Sequence, residues 1–251
     1  MLLVLIGFAI GTVGTLIGAG GGVFLVPILL FLYPEAPSTW IGGISMGMIA
    51  LNATSGSISY YFKKTIHLRA ALVFIAASFP GSVLGVHLEH YVDRPMFKKI
   101  FGMAMILFGV LLVVRHRNKA GTNVNAETKL HRGFYIKGAL ISFAVGFIAS
   151  FLSIGGGVIH VPLLTQVLGF PVHLATGTSH LILGCTAWFA TVTHLWQGDI
   201  SLKDPVLWQV GLSAAAGAQL GAKLSAKVSG TAILRILALA LMAVGLRLVV
   251  K

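Results

Sequence analysis

Apolar residues run in long blocks at 2–33, 40–62, 69–88 and 96–114, then at 137–168, 175–195, 206–224 and 231–250, with short polar segments between them. The blocks do not alternate in polarity, so they do not read as strands of a membrane β-barrel. Most are near the ~20 residues that carry a helix across a hydrocarbon core of ~30 Å. The first block of each half is longer, and as one straight helix it would reach about 48 Å. Each long block is interrupted by three glycines, Gly20, Gly21 and Gly22 or Gly155, Gly156 and Gly157. Pro27 and Pro162 follow at equal distance. Glycine weakens a helix and proline removes a backbone donor. The pattern therefore predicts a helix, a glycine loop and a second helical piece in each half.

The two halves resemble each other. One shift pairs Gly11 with Gly146, the first glycine triplet with the second, and Val26, Pro27 and Leu29 with Val161, Pro162 and Leu164. A shift shorter by one residue pairs Pro37, Gly43, Ser45 and Ile66 with Pro171, Gly177, Ser179 and Ile200. A shift longer by two pairs Gly81, Leu84, Gly85 and Leu88 with Gly217, Leu220, Gly221 and Leu224, then Gly109 with Gly245. Matched glycines and prolines in constant order predict a duplicated unit. Residues 1–114 form repeat 1, 115–136 a linker and 137–251 repeat 2.

Hydrophobic residues make up 57% of the 251-residue chain and charged ones 10%, with a mean hydropathy of +0.94. Soluble domains carry about 25% charged residues. This composition excludes a soluble globular enzyme, a disordered tail and a disulfide scaffold, and Cys185 is the only cysteine. The fold class expected is an all-α polytopic integral membrane protein with the lipid bilayer as its solvent. The net charge of +12 does not point to nucleic acid, because the basic residues sit between and at the ends of apolar runs and make no folded basic domain. The linker holds Arg115, Arg117, Lys119, Lys129 and Arg132, with Lys137 directly after it and Glu127 as its only acid. The positive-inside rule places it in the cytoplasm. Each repeat then has four spans and the repeats are parallel, or five and they are inverted. The loop around Lys223, Lys227 and Arg235 is cytoplasmic only in the inverted arrangement, which charge therefore favours. Arg94, Lys98 and Lys99 fall outside in both.

Irregular backbone at membrane depth needs protein or a watery cavity to satisfy it. Glycines leave amides open to a ligand, and a helix starting after the loop adds free donors and a positive dipole end. Gly20, Gly21, Gly22, Gly155, Gly156 and Gly157 are therefore candidate contacts for a small anion. Close helix packing through small residues is the plainer reading of a single triplet, and the repetition favours the ligand. Ser45 and Ser179, in matching positions, and Thr178, opposite Ile44 of repeat 1, follow as neutral donors, with helix-to-helix hydrogen bonding as their alternative role. His160 and His180 could take a proton or touch substrate, although a hydrogen-bonded neutral histidine at a helix contact is the commoner case. The acids Glu35, Glu89, Asp93, Glu127, Asp199 and Asp204 all fall in loops or at helix ends. That placement removes the simplest cation site and argues for an anionic or neutral substrate. His87 and His90 have metal-ligand spacing without further ligands. No catalytic motif, cofactor fingerprint or metal site emerges.

The strings GTLIGAGGGVFLVPIL at 14–29, GFIASFLSIGGGVIHVPLL at 146–164 and HLATGTSHL at 173–181 resemble the sulfite exporter TauE/SafE family. The resemblance covers essentially the whole chain. It implies a multi-pass plasma-membrane permease built from a duplicated unit, carrying sulfite or another sulfur-containing oxyanion or organosulfonate. Alternating access between the repeats is the expected mode. A passive anion channel, a non-transporting membrane subunit and a histidine-based membrane enzyme are the rivals. The sequence leaves direction, coupling ion and oligomeric state open.

Overall fold

In the computed structural model, residues 1–117, 132–225, 238–239 and 241–248 are described, and every regular element among them is an α-helix. The helices are α1 (Leu2–Leu16), α2 (Gly22–Leu32), α3 (Ser38–Phe62), α4 (Leu68–Glu89), α5 (Arg94–Arg117), α6 (Arg132–Phe151), α7 (Gly157–Gln166), α8 (Val172–Gln197) and α9 (Pro205–Ser225). Residues 241–248 are helical as well. α5 runs on to Arg117 and α6 begins at Arg132, both within or at the edge of the stretch 115–136 expected as a linker. Residues 226–237, 240 and 249–251, which include part of the last apolar block, and the middle of the linker, 118–131, lie outside the described residues.

Each long first block is divided. The segment after α1 turns through left-handed backbone at Gly18, Gly20 and Gly21, and the segment after α6 does so at Ser153 and Gly155. Only glycine takes such angles without strain, so Ser153 is the exception. The chain then doubles back along the helix it has just left. A Cβ on Gly14 would stand 2.5 Å from the Gly21 nitrogen, and one on Gly21 would stand 3.1 Å from the Ile10 carbonyl oxygen. In the second half, a Cβ on Gly156 would stand 3.0 Å from Val145 Cγ1 and 3.7 Å from Ala149 Cβ. With 11 and 10 residues, α2 and α7 reach only about 15–17 Å, half a hydrocarbon core.

The helices pair across the halves. α1 lies along α9 and α4 along α6. The contacts run through glycine, which lets backbones meet. Gly217 faces the Phe8 carbonyl and Gly221 the Thr12 carbonyl, while Gly81 faces the Phe143 carbonyl and Gly85 the Phe147 carbonyl. In both pairs the residue numbers rise together, so the partners are parallel. α3 and α8 make the central pair and run antiparallel, because Gly43 meets His194, Gly47 meets Thr191, Gly56 meets His180 and Gly184 meets Ala53.

The polar content of α3 and α8 follows from this central position. Asn52 is fully buried. It donates to the carbonyls of Gly11 (3.1 Å) and Ala214 (3.0 Å) and accepts from Thr15 Oγ1 (3.0 Å), tying α1, α3 and α9 together. Ser78 with Thr186 (2.9 Å) and Ser82 with Ser150 (2.7 Å) join α4 to α8 and α6. The outer helices instead expose large apolar side chains, among them Leu5, Leu72, Leu107, Leu140 and Leu212, as lipid-facing surfaces do. Leu68–Glu89 and Gly133–Phe151 are long and apolar enough to cross a membrane by themselves.

Candidate functional site

The two breaks meet at the centre of the molecule. A Cβ on Gly22 would stand 2.9 Å from both the Ser153 and Ile154 carbonyl oxygens, and one on Gly157 would collide with the Gly18 carbonyl. Gly20 and Gly155 both lie under Ile49 of α3 and Leu183 of α8. All six triplet glycines are buried. Their lack of side chains therefore allows the two breaks to approach each other. The amides of Gly22 and Val23, and of Gly157 and Val158, open α2 and α7 ahead of the i→i−4 ladder, where a helix has no internal acceptor for them.

Each central helix lays one face on the other half's break. On α8 that face is Thr176, Ser179, His180 and Leu183, a spacing that returns to the same side at each turn. Thr176 Cγ2 is 2.8 Å from a Cβ placed on Gly18, and Leu183 covers Gly20. Between them Ser179 and His180 are fully buried, and the serine hydroxyl and both ring nitrogens have no hydrogen-bond partner. Buried polar groups are nearly always paired, and these three atoms on adjacent residues of α8 are not. Tyr60 stands edge-on to the His180 ring at 5.5 Å and donates its hydroxyl to the Thr15 carbonyl at 2.9 Å.

The other candidates are already engaged. Ser45 Oγ donates to the Ser153 carbonyl at 2.7 Å, and Thr178 Oγ1 accepts from the His67 amide at 2.9 Å. His160 Nε2 lies 3.2 Å from Ser142 Oγ, while its Nδ1 is free. His160 packs on α6, away from the α8 face. His87 and His90 turn to different partners, Gln197 and Asp199. Among the described residues no three His, Cys, Asp or Glu gather as a metal site would require.

One expectation needs correction. Glu89 does end a helix, yet its side chain is fully buried. The start of α3 and the α6–α7 break close over it: a Cβ on Gly42 would stand 2.7 and 2.8 Å from its two carboxyl oxygens. Ser153 Oγ shares its proton between Oε2 at 3.4 Å and the Ser150 carbonyl at 3.2 Å. His194 Nε2 is 3.8 Å away, and the same ring holds Asp199 through Nδ1 at 2.7 Å. An acid beside the break therefore exists, and its placement at a block's edge does not remove a cation site. Asp199 itself lies in the loop after α8. Burial pushes its carboxyl up, but the hydrogen bond and charge of His194 and the charge of His90 outweigh this and hold it below the ordinary carboxylate range.

The sequence profile described as Sulfite exporter TauE/SafE matches residues 3–248. The chain is 29% identical to the "Probable membrane transporter protein YunE" of Bacillus subtilis (strain 168), over 99% of this chain and 97% of that one. It is 27% identical to a "Probable membrane transporter protein" of Xylella fastidiosa (strain Temecula1), over 90% and 84%. With the "Probable membrane transporter protein MJ0441" of Methanocaldococcus jannaschii it shares 24% identity, over 91% and 87%. No solved structure matches the chain.

Proposed function

The chain belongs to the sulfite exporter TauE/SafE family of membrane transporters, and from that premise we propose that it is a multi-pass plasma-membrane permease for a small anion, sulfite or another sulfur-containing oxyanion or organosulfonate. The observation that carries the reading is the trio of unpartnered donors and acceptors at Ser179 and His180, on the face of α8 laid against the α1–α2 break. In this reading an anion meets Ser179, His180 and the free amides opening α2 and α7. Hydrogen-bond donors with no fixed positive charge hold an anion and still release it. Gly20, Gly21, Gly155 and Gly156 shape the passage, Ser45 fixes the α6–α7 break against α3, and Thr178 ties α8 to the loop before α4.

The pairing of the helices supports two inverted repeats. α1 on α9 is mirrored by α6 on α4. The equivalent helices α3 and α8 run in opposite directions, as a two-fold axis in the membrane plane requires. The breaks touch, so passage needs the halves to move apart on one side at a time. A negative-inside potential favours anion efflux by ~2.3 kcal/mol per charge per 100 mV.

The test is flux from liposomes holding the purified full chain. Sulfite, thiosulfate and sulfoacetate are compared with acetate, for the wild type and for Ser179→Ala and His180→Phe. Saturable flux of a sulfur anion, reduced at least tenfold in either variant at equal folded protein, is expected. Equal flux in the variants would remove this face of α8 from the pathway. Currents that do not saturate would favour the channel.

A further inference from the structure

The halves differ at their breaks. The first left-handed residue is Gly18 in the first and Ser153 in the second, and only Ser153 brings a hydroxyl to a buried acid. From Glu89 a row of titratable groups leads outward. His194 Nε2 lies 3.8 Å from Oε2, His194 Nδ1 lies 2.7 Å from Asp199 Oδ2, and Asp199 Oδ1 lies 2.9 Å from His90 Nε2. Side-chain exposure rises along it, from 0% at Glu89 and His194 to 7% at Asp199 and 34% at His90. The row ends at the face bearing the 90–93 and 198–204 loops, where α4 and α8 finish.

The hydrogen-bond roles are informative. With Nδ1–H given to Asp199, the neutral His194 ring has only a lone pair on Nε2. That lone pair faces Glu89 and has no partner, and neither does Glu89 Oε1. Two acceptors facing each other in a dry place are stable only when they share a proton. The groups around Glu89 are the Ser153 hydroxyl from the break, the Gly42 backbone from α3, His194 from α8 and Asp199 beyond it; His87 and His90 lie on or just past its own helix. Among the described residues no lysine or arginine pairs with it. Arg94 is occupied by the carbonyls of Leu30, Tyr33 and Ala36.

We propose that Glu89 is a proton-binding site at the α6–α7 break, loaded and emptied through His194, Asp199 and His90 from a single membrane face. On release, the O–H bond of Glu89 breaks as an N–H bond forms on His194 Nε2. The ring passes its Nδ1 proton to Asp199, and that proton leaves by His90 or water. A small side-chain shift brings the 3.8 Å separation to hydrogen-bond length. The Ser153 hydroxyl reads the state of Glu89, and its carbonyl holds Ser45, so proton binding acts on the contact between α3 and the break. Loop charge assigns this face to the outside. The coupling of the proton to an anion rests on the transporter reading; the proton site does not.

The experiment has two readouts on the full-length protein, as wild type, Glu89→Gln and Asp199→Asn. Infrared difference titration follows the C=O stretch of a protonated carboxyl group. A titrating band in the wild type that disappears in Glu89→Gln and persists in Asp199→Asn with a displaced midpoint is expected. The same band in wild type and Glu89→Gln would overturn the site. In liposomes, downhill thiosulfate flux by the wild type is expected to follow the pH on the His90 side of the membrane and not the pH on the other side, while Glu89→Gln loses this one-sided dependence. An unchanged one-sided pH dependence in Glu89→Gln would overturn the coupling. A wild type that moves no thiosulfate, but shows the Glu89 band, would count against that substrate and leave the proton site standing.

Discussion

Gly155, Gly156 and Gly157 are adjacent in sequence, yet alanine at each position meets a different obstacle. At Gly157 the new Cβ falls on the Gly18 carbonyl and stands 2.9 Å from Ala19 Cα. Both are backbone of the opposite break and cannot rotate away. Forced overpacking of this kind costs about 1–3 kcal/mol, and here the relaxation would push the two breaks apart. At Gly155 the nearest atom is Leu183 Cδ1 at 2.7 Å, the end of a side chain that can turn. The cost there comes from a φ of +74°, about 1–2 kcal/mol for an L-residue. At Gly156 φ is −65°, and the neighbours are side-chain atoms at 3.0 and 3.1 Å. Less than ~1 kcal/mol is expected, because alanine is well suited to that backbone. Thermal unfolding in lipid nanodiscs, followed by tryptophan fluorescence, ranks the three variants. Gly157→Ala should be the least stable, Gly155→Ala next and Gly156→Ala close to wild type. A Gly157→Ala protein as stable as Gly156→Ala would refute the contact between the breaks, since nothing else separates those sites.

Asn52→Ala removes three hydrogen bonds, at about 0.6 kcal/mol each in a membrane, so a loss of about 2 kcal/mol is expected in reversible unfolding. Unchanged stability would show that the α1–α3–α9 junction does not depend on Asn52. Asp199 has a lowered pKa in the fold, so it contributes stability above its unfolded value of about 3.9. That contribution is lost as pH falls through the still lower folded value. Melting temperature should therefore drop between pH 5 and 3 in the wild type and drop less in Asp199→Asn; parallel curves would contradict this. Gly221→Leu should separate α1 from α9 by filling the space at the Thr12 carbonyl, lowering folded yield far more than Leu220→Ala on the exposed side of the same helix, as measured by size exclusion.

The apolar runs made the all-helical architecture legible, because a chain this poor in charge has few other ways to satisfy its backbone in lipid. Helix ends were readable to within a few residues where proline or charge marks them, as at Pro37, Pro171 and Pro205. The state of individual polar groups was not readable. Ser45 and Thr178 are spoken for by the Ser153 carbonyl and the His67 amide, which lie 108 and 111 residues away in the chain. Glu89 misled for the same reason. An acid at the edge of an apolar block looks solvated until another segment, here the α6–α7 break, closes over it. His194 and Asp199, five residues apart, carried a weak local signal, but only the fold turns that pair toward Glu89.

Ile49 and Leu183 reach from the two central helices into the same gap over Gly20 and Gly155, so a link between them would hold both halves to one arrangement. In a Cys185→Ser chain, the pair Ile49→Cys and Leu183→Cys can be joined by a short reducible cross-linker after reconstitution. The account predicts that anion flux stops when the link forms and returns when it is reduced. Flux that continues through fully cross-linked protein would contradict movement of the two halves about the paired breaks.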